Sequence, residues 1–326
     1  MQHDEHCADS ESLMDKKFDI IVLGSSGSVN EDNLTAYLVA PKGSNDFLAV
    51  DAGRLFSGLK KANAKGSFDH IHVPEESSLS TEGWILQECV KAYLISHAHL
   101  DHVAGLIINS TDDCEKEILG FSRTIDYLRD HIFNWKIWPN FGDEGVAPHM
   151  NKYRYVRLEP GKEYPITATA IKVIPFTISH SVNYESAAFL IEADDHFILI
   201  IGDTSPDPIG RSEDIEFVWN QVTPLIKNHK LRAIFLETSY PDEQADEALH
   251  GHLTPYWMIH ELGQLAKTVN PQHPDQALAL IPIVVTSIKP ALDKAFTKEL
   301  VSKQLNELNK LSLKFIIPSQ GELLQF

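Results

Sequence analysis

Apolar residues along this chain come in short runs that stop on Gly, Ser, Asp or His, a pattern of strands that deliver polar side chains at their ends. Phe18 to Leu23 is too short and too β-branched for a helix, and Gly24 breaks it, so FDIIVLG reads as a strand. A Gly/Ser loop, GSSGS, leads to a second strand in TAYLVA, and NDFLAVDAG supplies a third that ends at Asp51. CVKAYLIS is another apolar strand and runs directly into HAHLDH. Strands resume at YRYVRLE, ATAIKVIPFTIS, AAFLIEA and HFILIIGDT, the last two joined by Asp194 and Asp195 as a hairpin turn.

Further on, helical spacing predicts helices over 213–227, 254–269 and 291–308, separated by strands in LRAIFLETS and LIPIVVTSIKP and followed by KFIIPS. Between residues 115 and 150 the pattern changes: Ile125, Leu128, Ile132 and Trp135 recur at helical spacing until Pro139, which predicts a helical insertion. Both halves run strands first and strand–helix alternation afterwards. That order predicts an α/β fold of two sheets face to face with helices outside, one domain over 18–326 preceded by a polar tail over 1–17.

Composition narrows the partners. With 43% hydrophobic and 23% charged residues the chain can build an ordinary core. Its net charge of -18, from 28 basic and 46 acidic residues, argues against a nucleic-acid surface, which needs a basic stripe. The same charge repels small anions, so any phosphate chemistry requires local cations. Cys7, Cys89 and Cys114 show no paired spacing, which fits a reducing compartment. No window reaches the ~18 consecutive apolar residues of a membrane helix, and no apolar leader is visible, so a cytoplasmic protein without a membrane partner is expected.

The chemistry sits in HAHLDH. His97, His99, Asp101 and His102 are ligand-type side chains at a density that a metal site requires and a solvated loop does not. From a strand-end turn His97 and His99 can point one way and Asp101 and His102 another, which suits two ions rather than one. His180 ends an apolar strand in FTISHS, and Asp203 follows another in IIGDT, where a carboxylate can bridge paired cations.

In that order, SHAHLDHVAGL, FTISHS, IIGDTSPD and GHLTP resemble the metallo-β-lactamase superfamily. HAHLDHVAGLIINS, TIDYLRDHIFNWKIWPNF and FLETSYPDEQADEALHGHLTP are similar to segments of class II cyclic nucleotide phosphodiesterases, and the likeness runs from about Phe18 to the C-terminus. The resemblance implies a four-layer αβ/βα sandwich with a di-metal site between the sheets. His97, His99 and His180 would bind one divalent ion, Asp101 and His102 the other, with Asp203 bridging and Asp51 supporting from behind. Zinc leads by superfamily habit, and manganese or iron suits the same donors.

Ser287, in VVTSIKP, stands where the superfamily supplies a last histidine, which leaves the second ion one protein ligand short. The implied reaction is hydrolysis of 3′,5′-cyclic AMP, with cyclic GMP as a further substrate, to the 5′-monophosphate by a hydroxide shared between the ions. His252 is the expected general acid, oriented by Glu237, with Asp101 counted among the catalytic groups. Phe133, Asn134 and Trp135, with Trp138 nearby, are the expected wall for the purine, although such aromatics equally suit core or a dimer interface. Two alternatives stay open: a tRNA 3′-processing endonuclease, against which the acidic balance speaks, and a metal-deficient nucleotide binder, which Ser287 favours.

Overall fold

A computed structural model describes residues 15–326 apart from Val182, Ala291 and Asp293. The polar tail expected over 1–17 therefore lies outside the described residues up to position 14, as does Cys7. The first sheet holds β1 (Phe18–Gly24), β2 (Ala36–Pro41), β3 (Phe47–Val50), β4 (Val90–Leu94), β5 (Lys116–Phe121) and β6 (Tyr153–Leu158). The second holds β7 (Tyr164–Pro165), β8 (Lys172–Ser181), β9 (Tyr184–Ala193), β10 (His196–Ile201), β11 (Leu231–Glu237), β12 (Pro282–Thr286) and β13 (Lys314–Ile316). A last strand, β14 (Leu323–Gln325), returns to the first sheet and pairs antiparallel with β1.

Each sheet is seven strands wide and changes character halfway. Pairing is antiparallel from β1 to β3 and from β7 to β10, where short turns suffice. It is parallel from β3 to β6 and from β10 to β13, where crossovers intervene. The Asp194–Asp195 hairpin forms as expected, both residues taking positive φ (50° and 60°) between β9 and β10. Along β1, Phe18, Ile20 and Val22 face a core shared with Phe189, Ile198, Phe235 and Val284 of the other sheet. Ile21 and Leu23 point the opposite way, under the helices. Burial on both faces explains why these strands read as continuous apolar runs.

Helices cover the outer faces. On the first sheet lie α1 (Phe56–Ala64), α2 (Thr81–Trp84, continued by a wider turn over Ile85–Cys89), α3 (Leu100–Asn109) and α4 (Ser122–Tyr127, continued likewise to Ile132). The second carries α5 (Asp207–Gly210), α6 (Asp214–Lys227), α7 (Pro255–Val269) and α8 (Lys298–Leu308). Trp219 and Val222 of α6 and Met258 and Leu262 of α7 pack there in one cluster with Leu199 and Leu236. Four layers result, as the resemblance implied.

Three local expectations need correction. Segment 115–150 opens with a strand, β5, because Lys116–Phe121 finds ladder partners in both β4 and β6. Its helix ends at Ile132, where the Asn134 side chain accepts hydrogen bonds from the Lys136 and Ile137 backbone and turns the chain. Of the helix expected over 291–308, the structure shows Lys298–Leu308, capped by Thr297, whose hydroxyl accepts from the Leu300 N–H at 3.1 Å, while Ala291 and Asp293 lie outside the described residues. Finally, α1, α2, α3 and β14 were not signalled by the periodicity. Among the described residues no helix is long and apolar enough to cross a membrane.

Candidate metal centre and active site

The strand ends converge. His97 follows β4 after Ile95 and Ser96, and His99 is the N-cap of α3, so Asp101 and His102 occupy that helix's first turn. From the second sheet, His180 lies at the end of β8, Asp203 follows β10, and Glu237 closes β11. His252 is placed just before α7. Gly251 brings it in: with φ at +86° it passes so near the His180 carbonyl that an added Cβ would sit 1.7 Å from that oxygen.

Three imidazole nitrogens meet at one point. His99 Nδ1 lies 3.1 Å from His97 Nε2 and 3.2 Å from His180 Nε2. Their outer nitrogens have separate partners: His180 Nδ1 donates to the Gly251 carbonyl at 2.8 Å, and His97 Nδ1 meets the Ser96 hydroxyl at 3.0 Å. Such contacts fix the tautomer and turn the remaining lone pairs inward. Burial pulls His97 well below the ordinary histidine value, and neighbouring imidazoles add to it. Burial and the nearby His180 bring His99 down to about 4. Neutral imidazoles with converging lone pairs are what a divalent ion needs.

Beside this trio, His102 stands between two carboxylates. Its Nδ1 donates to Asp51 at 2.7 Å, and its Nε2 faces Asp203 Oδ2 at 3.3 Å. Asp51 is held in turn by the Ser96 N–H at 2.8 Å and hydroxyl at 2.9 Å, the supporting place expected for it. Burial works against the charged forms of both His102 and Asp203. Mutual attraction overrides it, raising His102 through Asp203 and Asp51 and lowering Asp203 through His102 and His252. His102 Nε2 and Asp203 Oδ1 are both buried with no hydrogen-bond partner. Two orphaned ligand atoms in an anionic pocket fit a bound cation.

Possible ligand atoms fall into three overlapping groups: His97, His99, His180; His97, His102, Asp203; and His180, Asp203, His252. Asp101 is in none of them. It is half-buried at the start of α3, where its charge acts on His99. His252 Nδ1 is engaged by Glu237 Oε1 at 2.9 Å and by the Ser239 hydroxyl at 3.1 Å, which matches an oriented imidazole. Burial lowers its affinity for a proton, yet Glu237 and Asp203 together leave it above the ordinary value. Ser287 is at the wall of this site, one step past β12, whose Thr286 pairs with Glu237. Its hydroxyl is turned to Thr35 Oγ1 at 3.2 Å.

The residues expected to wall the purine are engaged in the core or in their own loop. Phe133 is fully buried against Phe141 and Tyr153 and offers no face to a base. Asn134 is taken up by the backbone of its own loop, its amide donating to Asp130 and its carbonyl accepting from residues 136 and 137. Trp135, 43% exposed, donates its indole N–H to the Pro148 carbonyl. The rings at the centre are instead Tyr184, stacked on His99 with centroids 4.5 Å apart, and Tyr127, stacked on Tyr184 at 5.8 Å. Sequence reasoning missed Tyr184, Ser96 and Ser239. The first two lie within a residue or four of a candidate ligand histidine, but nothing in their type separates them from ordinary strand residues.

Comparison with known proteins agrees with this geometry. The model of the class II cAMP phosphodiesterases matches residues 16–321. A 3′,5′-cyclic-nucleotide phosphodiesterase of Aliivibrio fischeri is 38% identical over 316 residues, 97% of this chain and 94% of the relative. A probable 3′,5′-cyclic-nucleotide phosphodiesterase of Yersinia pestis is 34% identical over 97% of this chain and 91% of its own. Among solved structures, unliganded yeast PDE1 superposes with a TM-score of 0.80 at 24% identity, over 96% of this chain and all of that one (100%). The metallo-β-lactamase-fold protein YhfI of Bacillus subtilis gives 0.60 at 15% identity, over 96% of this chain and 100% of that chain, and bears on the fold alone. A family match from the first strand to the last turn, over a fold whose strand ends gather six histidine and carboxylate donors, leaves one conclusion: the chain belongs to the class II cAMP phosphodiesterase family.

Proposed function

We propose that this class II phosphodiesterase hydrolyses 3′,5′-cyclic AMP, with cyclic GMP as a further substrate, to the 5′-monophosphate at a pair of divalent ions. The observation that carries the reading is the convergence of His97, His99 and His180 beside the orphaned His102 and Asp203 atoms. One ion would be held by the imidazole trio and the other by His102 and Asp203, with Asp101 beside His102 in the first turn of α3. Zinc, manganese and iron all suit imidazole and carboxylate donors. When bound, such ions make hydroxide available near neutral pH and neutralise phosphate charge.

The protein's own part is positional. Glu237, fully buried, accepts from His252 Nδ1 and so fixes the ring with Nε2 turned outward. Once protonated, that nitrogen would give its proton to the departing 3′ oxygen as the phosphorus–oxygen bond breaks. Tyr184 lies stacked between His99 and Tyr127, so the outer face of Tyr127 would be the flat surface for a purine. The test is hydrolysis of cyclic AMP by purified protein with added zinc or manganese, with and without chelator, beside a count of metal per chain. Turnover to 5′-AMP that chelator abolishes is expected. Bound metal with cleavage of a tRNA precursor and none of cyclic AMP would overturn the substrate, and no bound metal would favour a nucleotide binder that does not turn over.

A further inference from the structure

An acidic protein that acts on an anion needs a cation at the point of contact, and Lys289 is placed to be one. This inference rests on the phosphodiesterase reading above. Lys289 follows Ser287 and Ile288 past the end of β12, and its backbone N–H donates to the Ser239 carbonyl at 3.1 Å. Its Nζ lies 2.8 Å from His252 Nε2. It also lies 3.4 Å from the Tyr240 hydroxyl and 5.1 Å above the Tyr240 ring. No carboxylate pairs with it among the described residues, whereas Lys91, Lys116 and Lys230 all sit on aspartates.

The pairing with His252 is unusual in kind. Nδ1 of that ring faces a carboxylate, so it carries the proton, and Nε2 is left as an acceptor for the lysine ammonium. A charged donor resting on a neutral nitrogen, half-buried and with no anion of its own, is a cation awaiting a stronger partner. The arm is also built around. A Cβ on Gly27 would come 2.6 Å from Lys289 Cγ and 3.0 Å from its Cε, so this glycine of the GSSGS loop leaves the channel through which the stem passes. Beyond the ammonium, a cavity of about 190 Å³ lined by Val29, Tyr240, Pro241 and Phe296 opens next to it.

We infer that Lys289 anchors the phosphate of the nucleotide: its ammonium rests on His252 Nε2 and moves onto a phosphate oxygen when substrate enters, which leaves Nε2 open to take up a proton from water. The GSSGS loop, which the fold otherwise leaves as a turn, serves to seat this arm.

The experiment compares wild type, Lys289→Met and Lys289→Arg, each loaded with the same metal and checked for metal per chain and melting temperature. Binding of 5′-AMP is followed by calorimetry and hydrolysis of cyclic AMP by steady-state kinetics. Lys289→Met is expected to weaken 5′-AMP binding and raise KM by about 10- to 100-fold, the range of a hydrogen bond to a charged group. Metal content stays unchanged, and Lys289→Arg recovers most of the loss. Gly27→Ala, which displaces the arm without touching its charge, is expected to follow Lys289→Met in part. Lys289→Met that binds 5′-AMP and turns over within about twofold of wild type would overturn the inference. So would an arginine variant no better than methionine, since that pattern means packing rather than charge. If the wild type fails to hydrolyse cyclic AMP, the phosphodiesterase reading fails, while the 5′-AMP affinities still decide the role of the lysine.

Discussion

The two halves of the candidate metal cluster are built unequally. On one side, His97, His99 and His180 bring three imidazoles from two sheets onto a single point, with the outer nitrogens of His97 and His180 held by Ser96 and the Gly251 carbonyl. On the other, His102 and Asp203 stand with unpartnered atoms, and the strand end that could complete them carries Ser287, whose hydroxyl turns to Thr35. The first half is a finished tripod. The second relies on charge, with Asp51 and Asp203 on either side of one imidazole. A site of this shape is expected to bind its two ions with different affinities, the second exchanging more readily.

Breaking the tripod has the largest expected effect. His180→Ala removes one of three imidazoles and leaves Nδ1 of His99 facing a gap. Turnover of cyclic AMP should fall to the level seen with chelator, and metal analysis should show the loss at this half. Retained metal and activity would mean that the trio is not the primary site.

His252 tests where the second half ends, because it lies 3.7 Å from Asp203 and could be counted with the ligands. For a proton donor, His252→Ala lowers kcat by about 10²–10⁴-fold and leaves metal per chain unchanged. A drop in bound metal would instead make His252 the missing ligand of that half.

Asp51→Asn addresses the support rather than the ligand. The amide keeps the volume but removes the charge behind His102, and second-ion affinity is expected to weaken by about 10- to 100-fold, read from activity against metal concentration. The tripod should be untouched, so metal bound at the lowest concentrations should stay. Equal weakening of both ions would erase the distinction between the halves.

The smallest change, Ser287→His, should sharpen the comparison by repairing it. Ser287 has φ of 55°, a conformation that histidine adopts more readily than most residues. Losing the Thr35 hydrogen bond costs about 1 kcal/mol. Half-maximal activation is then expected at about tenfold less metal, since a further neutral imidazole joins the weaker ion. A variant with unchanged metal dependence would show that the wall at Ser287 is too far from the second ion to matter.

Much of this was legible before any fold was known, and for a definite reason. The candidate ligands sit where strands stop, and strand ends are marked locally, by Gly, Ser and Asp after an apolar run; the strand-end places of His97, His180, Asp203 and Glu237 were all readable in that way. The two-sheet order was readable too, since strands buried on both faces are apolar throughout. Long-range pairings left no local trace. His180 meets His99 across 81 positions, and Lys289 reaches His252 across 37. Nor does an aromatic residue announce its side: Phe133 and Tyr184 are alike in sequence, but one is sealed under helices and the other lies on a ligand. Residue type and spacing determined that this chain gathers metal donors at its strand ends. Which rings face those donors, and which lysine stands beside them, only the packing of the second sheet against the first could decide, because those contacts depend on where distant strands end in space and not on the residues that flank them.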